Sequence, residues 1–476
     1  MNPDLLWQYS ATELHQAFLQ AEATPLQALH SCLQRITAVQ PQINAFVALR
    51  SASAEQEAAA STLRYQRGSP LSPLDGVPIS IKDNLLTHDM PTTWGSAGLA
   101  HYQPDSEELA VRRLRAAGAI VVGKTNVPEF TLEGYTDNPL FGVTRNPWDL
   151  ALTPGGSSGG AAASVAAGCT PLALGTDGGG SIRRPAAHCG LVGLKPTTGC
   201  VARVQGLPTL LLDFEVVALM ARTVADITAL LAVIAGPDAA DPASWAPALP
   251  AAAGPAPSSR LRLLYVPTLD QAPVDAGIAQ ACAHAAQQLA HAGGHLLDSG
   301  PLPLHLADIT SAWPQVAQIG LAHLFQQQPA WGAAASEKYR QMAADGAALP
   351  ATALWRILDL TAQLRRDCVA LFSQWDIVLM PCTATQPWPA EQAYPAMIDG
   401  QPVGPRGHAA FTGWINAAGL PALSIPVTTD AQGLPIGLQL VGPPGAEPLL
   451  LQQAARMQAL QPWEARRPAL STRPAA

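Results

Sequence analysis

The chain has 476 residues and a net charge of −8, from 27 Lys and Arg against 35 Asp and Glu. That length allows one large domain or two to three ordinary ones. The acidic balance, with no cluster of Lys and Arg, excludes nucleic acid as an expected partner, because phosphate contacts need concentrated positive charge.

In chain order, the opening MNPDLLWQYSATELHQAF lacks a basic stretch leading into an apolar run, so no signal peptide is expected. Ser10 and Glu13 form an S-x-x-E capping box, and Thr24 before Pro25 marks a second helix start. VPISIKD (77–83) alternates Val77, Ile79 and Ile81, which predicts a strand with Lys82 on the opposite face. EELAVRRLRAAG (107–118) predicts a helix leading into a buried strand over 118–126. GAAASVAAG (160–168) predicts a small-residue helix, PLALGTD (171–177) a short strand, and RTVADITALLAVIAG (222–236) an amphipathic helix. ITALLAVIAG is too short to cross a bilayer, so no membrane partner is expected. A Pro/Ala-rich tract over 236–260 reads as an irregular loop. LRLLYVP (261–267) reopens the pattern, 272–372 is helical in character, and strands are predicted at 375–381, 421–427 and 433–442. The DAQG turn makes the last two a hairpin, and a helix follows over 446–459. Seven cysteines without a CxxC fit free, buried thiols in a reducing cytoplasm. The alternation of strand and helix predicts an α/β fold, one α/β/α layered domain (1–476) around a large mixed, mostly parallel sheet.

Two glycine-serine runs, PGGSSGG (154–160) and GTDGGGSIRRP (175–185), carry the chemistry. A phosphate loop needs GxxxxGK[ST], and neither run supplies the Lys. The spacing of GGSSGG does not fit GxGxxG either. GxSxG does match, with Ser158 central and His323 or His408 as late histidines, but no HGGG-type oxyanion loop accompanies it. A third arrangement uses both runs and the strand-end Lys82. Ser157 and Ser181 lie about 24 residues apart across a helix and a strand, a crossover that brings both loops to one edge of neighbouring strands. Gly178, Gly179 and Gly180 can turn backbone N–H groups inward, as an oxyanion hole requires.

The motifs PLDGVPISIKDN (73–84), GKTNVPEF (123–130), RNPWD (145–149), PGGSSGGAAASVAAG (154–168) and GTDGGGSIRRPAAHCGLVGLKPT (175–197) resemble the amidase signature family of serine hydrolases. ALSIPV, GLPIGLQLVGP and the final helix extend the resemblance over nearly the whole chain. It implies a signature core over about 70–200, a variable helical segment over about 300–372 and C-terminal core strands and helix over about 373–465. It also implies a Ser–cis-Ser–Lys triad: Ser181 as nucleophile, Ser157 as the bridging serine on a cis peptide, and Lys82 as base. The oxyanion hole maps to the N–H groups of Gly178, Gly179, Gly180 and Ser181. One departure is Gly178, where the family more often carries a side chain; the expected consequence is a looser loop.

An amine base with an unperturbed pKa of about 10.4 must be pulled down roughly two units to work near pH 8, and burial acts in that direction. The implied activity is amide hydrolysis through an acyl-enzyme, on a small-molecule amide, with no cofactor and no metal, because no ligand cluster or phosphate loop is present in the sequence. Asp177 and Arg183 are expected to pair, Ser158 to cap the following helix, and His188, Cys189 and Lys195 to be structural. Cys382 is expected near the site face. Arg184 is expected to turn away from Arg183, as alternate residues do in an extended segment. The resemblance to relatives that cleave amides of dicarboxylic acids makes it a candidate carboxylate reader. Trp313, Trp331, Trp355 and the loop 203–214 are candidate walls of the acyl pocket. Two rivals stay open: a glutaminase-type subunit of a tRNA-dependent amidotransferase, and a catalytically silent binding protein. A homodimer is also open.

Overall fold

The N-terminal caps form as their sequence dictates. In α1 (Ala11–Leu19), Ser10 Oγ accepts the Glu13 N–H at 3.2 Å while the Glu13 carboxylate accepts the Ser10 N–H at 2.7 Å. Thr24 and Gln27 repeat the arrangement at α2 (Pro25–Ile43). The structure, a computed structural model, describes residues 2–245 and 260–470. After α2 come β1 (Phe46–Leu49), α3 (Ser51–Gln66), β2 (Pro78–Lys82), α4 (Leu109–Ala116) and β3 (Ile120–Thr125). Then follow α5 (Gly159–Ala166), β4 (Leu172–Asp177), α6 (Arg183–Cys189), β5 (Val192–Lys195), β6 (Val216–Ala221) and α7 (Val224–Ile234). Beyond residue 260 lie β7 (Arg262–Tyr265), α8 (Ala276–Gly293), β8 (Leu296–Ser299), α9 (Ala307–Gln327), α10 (Pro329–Ala334), α11 (Glu337–Ala348) and α12 (Ala351–Gln374). The chain continues through β9 (Ile377–Pro381), the small ribbon β10 (Met397–Ile398) and β11 (Gln401–Pro402), α13 (Gly413–Ala417), β12 (Ala422–Thr429), β13 (Pro435–Val441) and α14 (Glu447–Leu460).

One eleven-stranded sheet runs in the order β1-β3-β2-β4-β6-β5-β12-β13-β9-β7-β8. It is mixed, as expected, and the details refine the expectation of mostly parallel pairing. The parallel ladders are β2 with β3 and β4, and β7 with β8 and β9. Helical crossovers join β2 to β3, β3 to β4, and β7 to β8, and a crossover returns the chain in the same direction. The ladders among β4, β6, β5, β12, β13 and β9 are antiparallel, as is β1 with β3. The 421–442 hairpin forms as the DAQG turn requires, with the Gly433 N–H closing onto the Asp430 carbonyl.

The sheet separates two packed layers. Ile79, Ile81, Leu172 and Leu174 join one large core with residues of α4, α7, α8 and α14. On the opposite face Ala161 and Val165 of α5 pack with Ala173, Ile182 and Met220. The alternation of β2 thus turns Ser80 and Lys82 toward α5, and Ser80 Oγ lies 3.0 Å from Ser164 Oγ of that helix. Elements not expected from the sequence are β1, α3, β5, β6, β8, β10, β11 and α13. The segment after Ser181 is also corrected: it is α6, not extended chain. Arg184 N–H and Ala186 N–H donate to the carbonyls of Gly180 and Ile182, four residues back. The Pro/Ala tract shows a short 3-10 turn at Pro242–Ser244, and its residues 246–259 lie outside the described residues. The seven cysteines are free; Cys200 is half-buried and the others are buried.

Candidate active site

Lys82 ends β2, and Ser181 lies in the loop that leaves β4. The two strands are adjacent and parallel, so their C-terminal ends share one edge of the sheet. Ser157 sits in the loop entering α5. The buried Lys82 Nζ donates to Ser157 Oγ at 2.8 Å, to Thr176 Oγ1 at 3.0 Å and to the Thr176 carbonyl at 3.3 Å. Asn84 Nδ2 also donates to Thr176 Oγ1, at 3.0 Å, which fixes that hydroxyl. The Gly156–Ser157 peptide bond is cis. The two serine loops are tied together by Ser158 N–H, which donates to the Ser181 carbonyl at 3.1 Å. The Ser181 hydroxyl makes no hydrogen bond among the described residues and opens into the neighbouring cavity.

Burial pushes the Lys82 amine down to about 7, against the upward pull of Glu215 and Asp177. A strand-end lysine with no carboxylate bonded to it spends much of its time neutral near pH 7, when its nitrogen can accept a proton. Lys195 is also buried and pushed down to about 7, with Nζ donating to the Pro196 carbonyl at 2.8 Å. It does not contact the serines.

Asp177 organises the glycine run. Its Oδ1 accepts the Gly180 N–H at 2.7 Å, Arg183 Nη2 at 2.9 Å and Asn416 Nδ2 at 3.0 Å. Its Oδ2 accepts the Ile182 N–H at 3.1 Å and Arg183 Nε at 3.0 Å. Burial alone would raise this carboxyl, but the Arg183 guanidinium and the Asn416 amide hold it well below the usual carboxylate range. The expected Asp177–Arg183 pair is present. The hydrogen bond also corrects the candidate oxyanion set, because the Gly180 N–H is already committed to Asp177. Gly178, Gly179 and Ser181 keep N–H groups without an acceptor among the described residues. Gly180 has φ +111°, and a Cβ there would lie 2.3 Å from Thr412 Oγ1, so both backbone and space demand glycine. The place of the side chain that Gly178 lacks is taken by Leu211, whose Cδ1 lies 2.7 Å from where a Cβ would stand.

Ser181, Gly178, Gly179 and Arg184 line a cavity of about 570 Å³. The helical segment contributes Trp313, Met342 and Lys338, and the 203–214 loop contributes Leu211. Of the three candidate tryptophans, Trp313 stands in the wall, stacked on Phe214 at 5.5 Å. Trp331 packs against Tyr102 instead, and Trp355 is 69% exposed on α12. Arg184 reaches the cavity although its segment is helical. Its Nη2 donates to the Gly156 carbonyl at 3.3 Å, while its buried Nε has no partner. Arg406, which no sequence signal marked, lies over the Trp313 ring at 5.1 Å, its guanidinium without a hydrogen bond or ion pair among the described residues. Glu133, also in the wall, is ion-paired with Lys338.

The alternative serine fails on geometry. Ser158 is buried, its hydroxyl donates to the Thr176 carbonyl at 3.2 Å, and it does not line the cavity. Nor does it cap α5 through its side chain. His323 is exposed on α9. His408 is in the cavity wall, buried and held neutral by burial and by the nearby Arg184. His188 packs edge-on against Trp388, and burial pushes it down to about 3. The buried Cys189 and Cys382 thiols are both pushed up by burial, Cys382 to about 11. One trio able to approach a cation, His88, Asp89 and Glu107, is present among the described residues, but Arg50 and Arg115 pair with its carboxylates. The sequence reading missed Asn416, Thr412, Arg406 and Glu133. Asn416 and Thr412 lie more than 200 positions from the loop they hold, and no local pattern marks either.

A family model described as Amidase matches residues 27–451. Among curated proteins, the A subunit of glutamyl-tRNA(Gln) amidotransferase from Chloroflexus aggregans is 34% identical over 481 residues, covering 96% of this chain and 97% of that protein. Its counterpart from Symbiobacterium thermophilum is 36% identical over 488 residues, covering 97% and 99%. Among solved structures, 6-aminohexanoate cyclic dimer hydrolase complexed with substrate superposes with a TM-score of 0.85 at 30% identity, covering 98% of this chain and 99% of that one. A bacterial aryl acylamidase of the amidase signature family gives 0.86 at 26% identity, covering 96% of each chain.

Proposed function

The chain belongs to the amidase family, and from that premise we propose that it hydrolyses a carboxylic acid amide to the carboxylate and ammonia or an amine, through an acyl-enzyme at Ser181. The observation that carries this reading is the buried Lys82–Ser157 hydrogen bond, set at the loop tied to Ser181. Neutral Lys82 takes the Ser157 proton as Ser157, once the Ser181 hydroxyl turns from the cavity toward it, takes the Ser181 proton, since a hydroxyl both donates and accepts. Ser181 Oγ then attacks the carbonyl carbon. The developing oxyanion is held by the N–H groups of Gly178, Gly179 and Ser181, while Gly180 serves by anchoring the loop to Asp177. The same relay run backwards protonates the leaving nitrogen. Water, deprotonated through the relay, then hydrolyses the acyl ester. No step calls for a metal or cofactor.

We assign Arg184 and Arg406 to the substrate's acyl side. Two guanidinium groups face the cavity without an ion-paired carboxylate among the described residues, whereas Glu133 already has Lys338. A carboxylate on the substrate supplies the missing charge, and guanidinium is suited to it through paired hydrogen bonds.

The sequence relatives favour a narrower reading. They are named as the A subunit of an amidotransferase, so the amide is then the side chain of glutamine and the chain works with protein partners. Glutamine also carries a carboxylate for the two arginines. The intact Lys82–Ser157 contact opposes a silent binding protein. The test is ammonia release by the purified chain on a panel of simple, carboxylate-bearing and glutamine amides. Turnover of a non-glutamine amide without partners supports the first reading. Glutaminase activity that appears only with added partner subunits supports the second. No turnover in either setting contradicts both.

A further inference from the structure

We propose that the chain forms a two-fold dimer through α12, with the helices antiparallel and crossing at Ala362. The helix buries Ile357, Thr361, Leu364, Cys368 and Leu371 against the body of the protein. Its opposite face carries Trp355, Leu358 and Val369, exposed by 69%, 40% and 74%. At about 100° per residue, these three and exposed Ala362 fall within a stripe about 60° wide. Single exposed apolar residues are ordinary, but a stripe led by a tryptophan marks a contact surface.

The occupant is read from the symmetry of the stripe. Trp355 and Val369 stand at equal distances on either side of Ala362, two helical turns each way. A two-fold axis beside Ala362 therefore brings Trp355 of one copy against Val369 of the other, twice. The small Ala362 at the crossing lets the backbones approach. Charge follows the same axis. Asp359 and Arg366 lie on one edge of the stripe, one about a turn before Ala362 and the other about a turn after it. The axis sets Asp359 level with Arg366 of the second copy. The Asp359 carboxylate has no hydrogen bond or ion pair among the described residues, and Arg366 reaches the neutral Gln363 at 2.6 Å. Arginines elsewhere on the helix are already matched within the chain, Arg356 to Asp308 and Arg365 to Asp213. Self-complementarity of this kind is the mark of an isologous contact.

The test is sedimentation equilibrium on the full chain and on surface variants that leave the catalytic groups untouched. Wild type is expected to dimerise, and Trp355→Glu to be monomeric at the same concentrations. Asp359→Arg and Arg366→Asp place like charges across the axis, and each is expected to raise the dissociation constant about tenfold or more. The double reversal Asp359→Arg/Arg366→Asp restores the opposite-charge pair and is expected to return the constant to within about threefold of wild type. Ala362→Cys is expected to give an oxidised dimer on a denaturing gel. A wild-type chain that stays monomeric overturns the proposal. So does a dimer indifferent to Trp355→Glu, a double reversal no better than the singles, or association seen only with a different protein.

Discussion

At the level of the single residue, the proposed relay makes Lys82 the group that sets both activity and pH dependence. Substituting Ser181 by Ala is expected to abolish amide hydrolysis. Lys82→Ala and Ser157→Ala should each cost several orders of magnitude in kcat, with double variants little worse than singles, because the three act as one relay. Ser158→Ala loses one buried hydrogen bond to Thr176 and should cost far less. These kinetics are measured as steady-state ammonia release. The sign of the pH effect follows from the lowered amine. Below about pH 7 Lys82 is protonated and cannot accept, so kcat/KM should rise with pH and level off above about 7. Lys195→Met should leave that limb in place, since Lys195 does not touch the serines. Stability carries the same signature. Lys82 and Lys195 are lowered in the folded state, so the unfolded chain binds more protons between about pH 7 and 10. The contribution of these two lysines to stability therefore rises with pH across that window, while the buried cysteines, pushed up in the folded state, act in the opposite direction from about pH 9. Lys82→Met should flatten the rise and raise the melting temperature near pH 7 while removing activity, because burial disfavours the charged amine. A melting temperature unchanged or lowered in Lys82→Met would contradict the burial argument.

At the level of elements, the glycine run is held from α13 as much as from β4. Asn416 donates to the Asp177 carbonyl at 2.8 Å, to Asp177 Oδ1 and to the Phe214 carbonyl at 3.1 Å, and accepts from Arg183 at 2.5 Å. Asn416→Ala leaves these buried groups short of partners, at about 1–3 kcal/mol in denaturant unfolding. It should lower kcat more than it changes KM, because the loop positions N–H groups that matter most in the transition state. The sequence marked β2, α5 and β4 because alternation, small-residue helix and apolar run are local patterns, and these three carry Lys82, Ser157 and the start of the glycine run. It did not mark β5 or β6, whose identity depends on antiparallel partners far along the chain. Strand-like alternation does not hold at Arg183 and Arg184, because α6 is helical. Arg183 still meets Asp177 and Arg184 still meets the cavity, because successive helical side chains diverge by about 100°. Arg406, like Asn416, reaches the site through tertiary packing that no local pattern encodes.

At the level of the whole molecule, the sheet edge, the helical segment and the loop over 404–409 close around a cavity whose unpaired charge, among the described residues, is positive. Arg184→Ala and Arg406→Ala, assayed on a neutral amide and a matched amide bearing a distal carboxylate, should lose about 2 kcal/mol of transition-state binding selectively on the acidic one. Equal losses on both would remove the carboxylate role. The amide that is hydrolysed, and whether partner subunits are needed, depend on surfaces and walls that vary under a shared fold. The proposed nucleophile, Ser181, is the claim on which the mechanism rests. Its most direct measurement is labelling of the intact chain with a fluorophosphonate, followed by mass spectrometry of its peptides. One adduct is predicted, on Ser181, formed far more slowly in Lys82→Ala and absent from Ser181→Ala. An adduct on Ser158, or labelling that survives Ser181→Ala, would contradict the account.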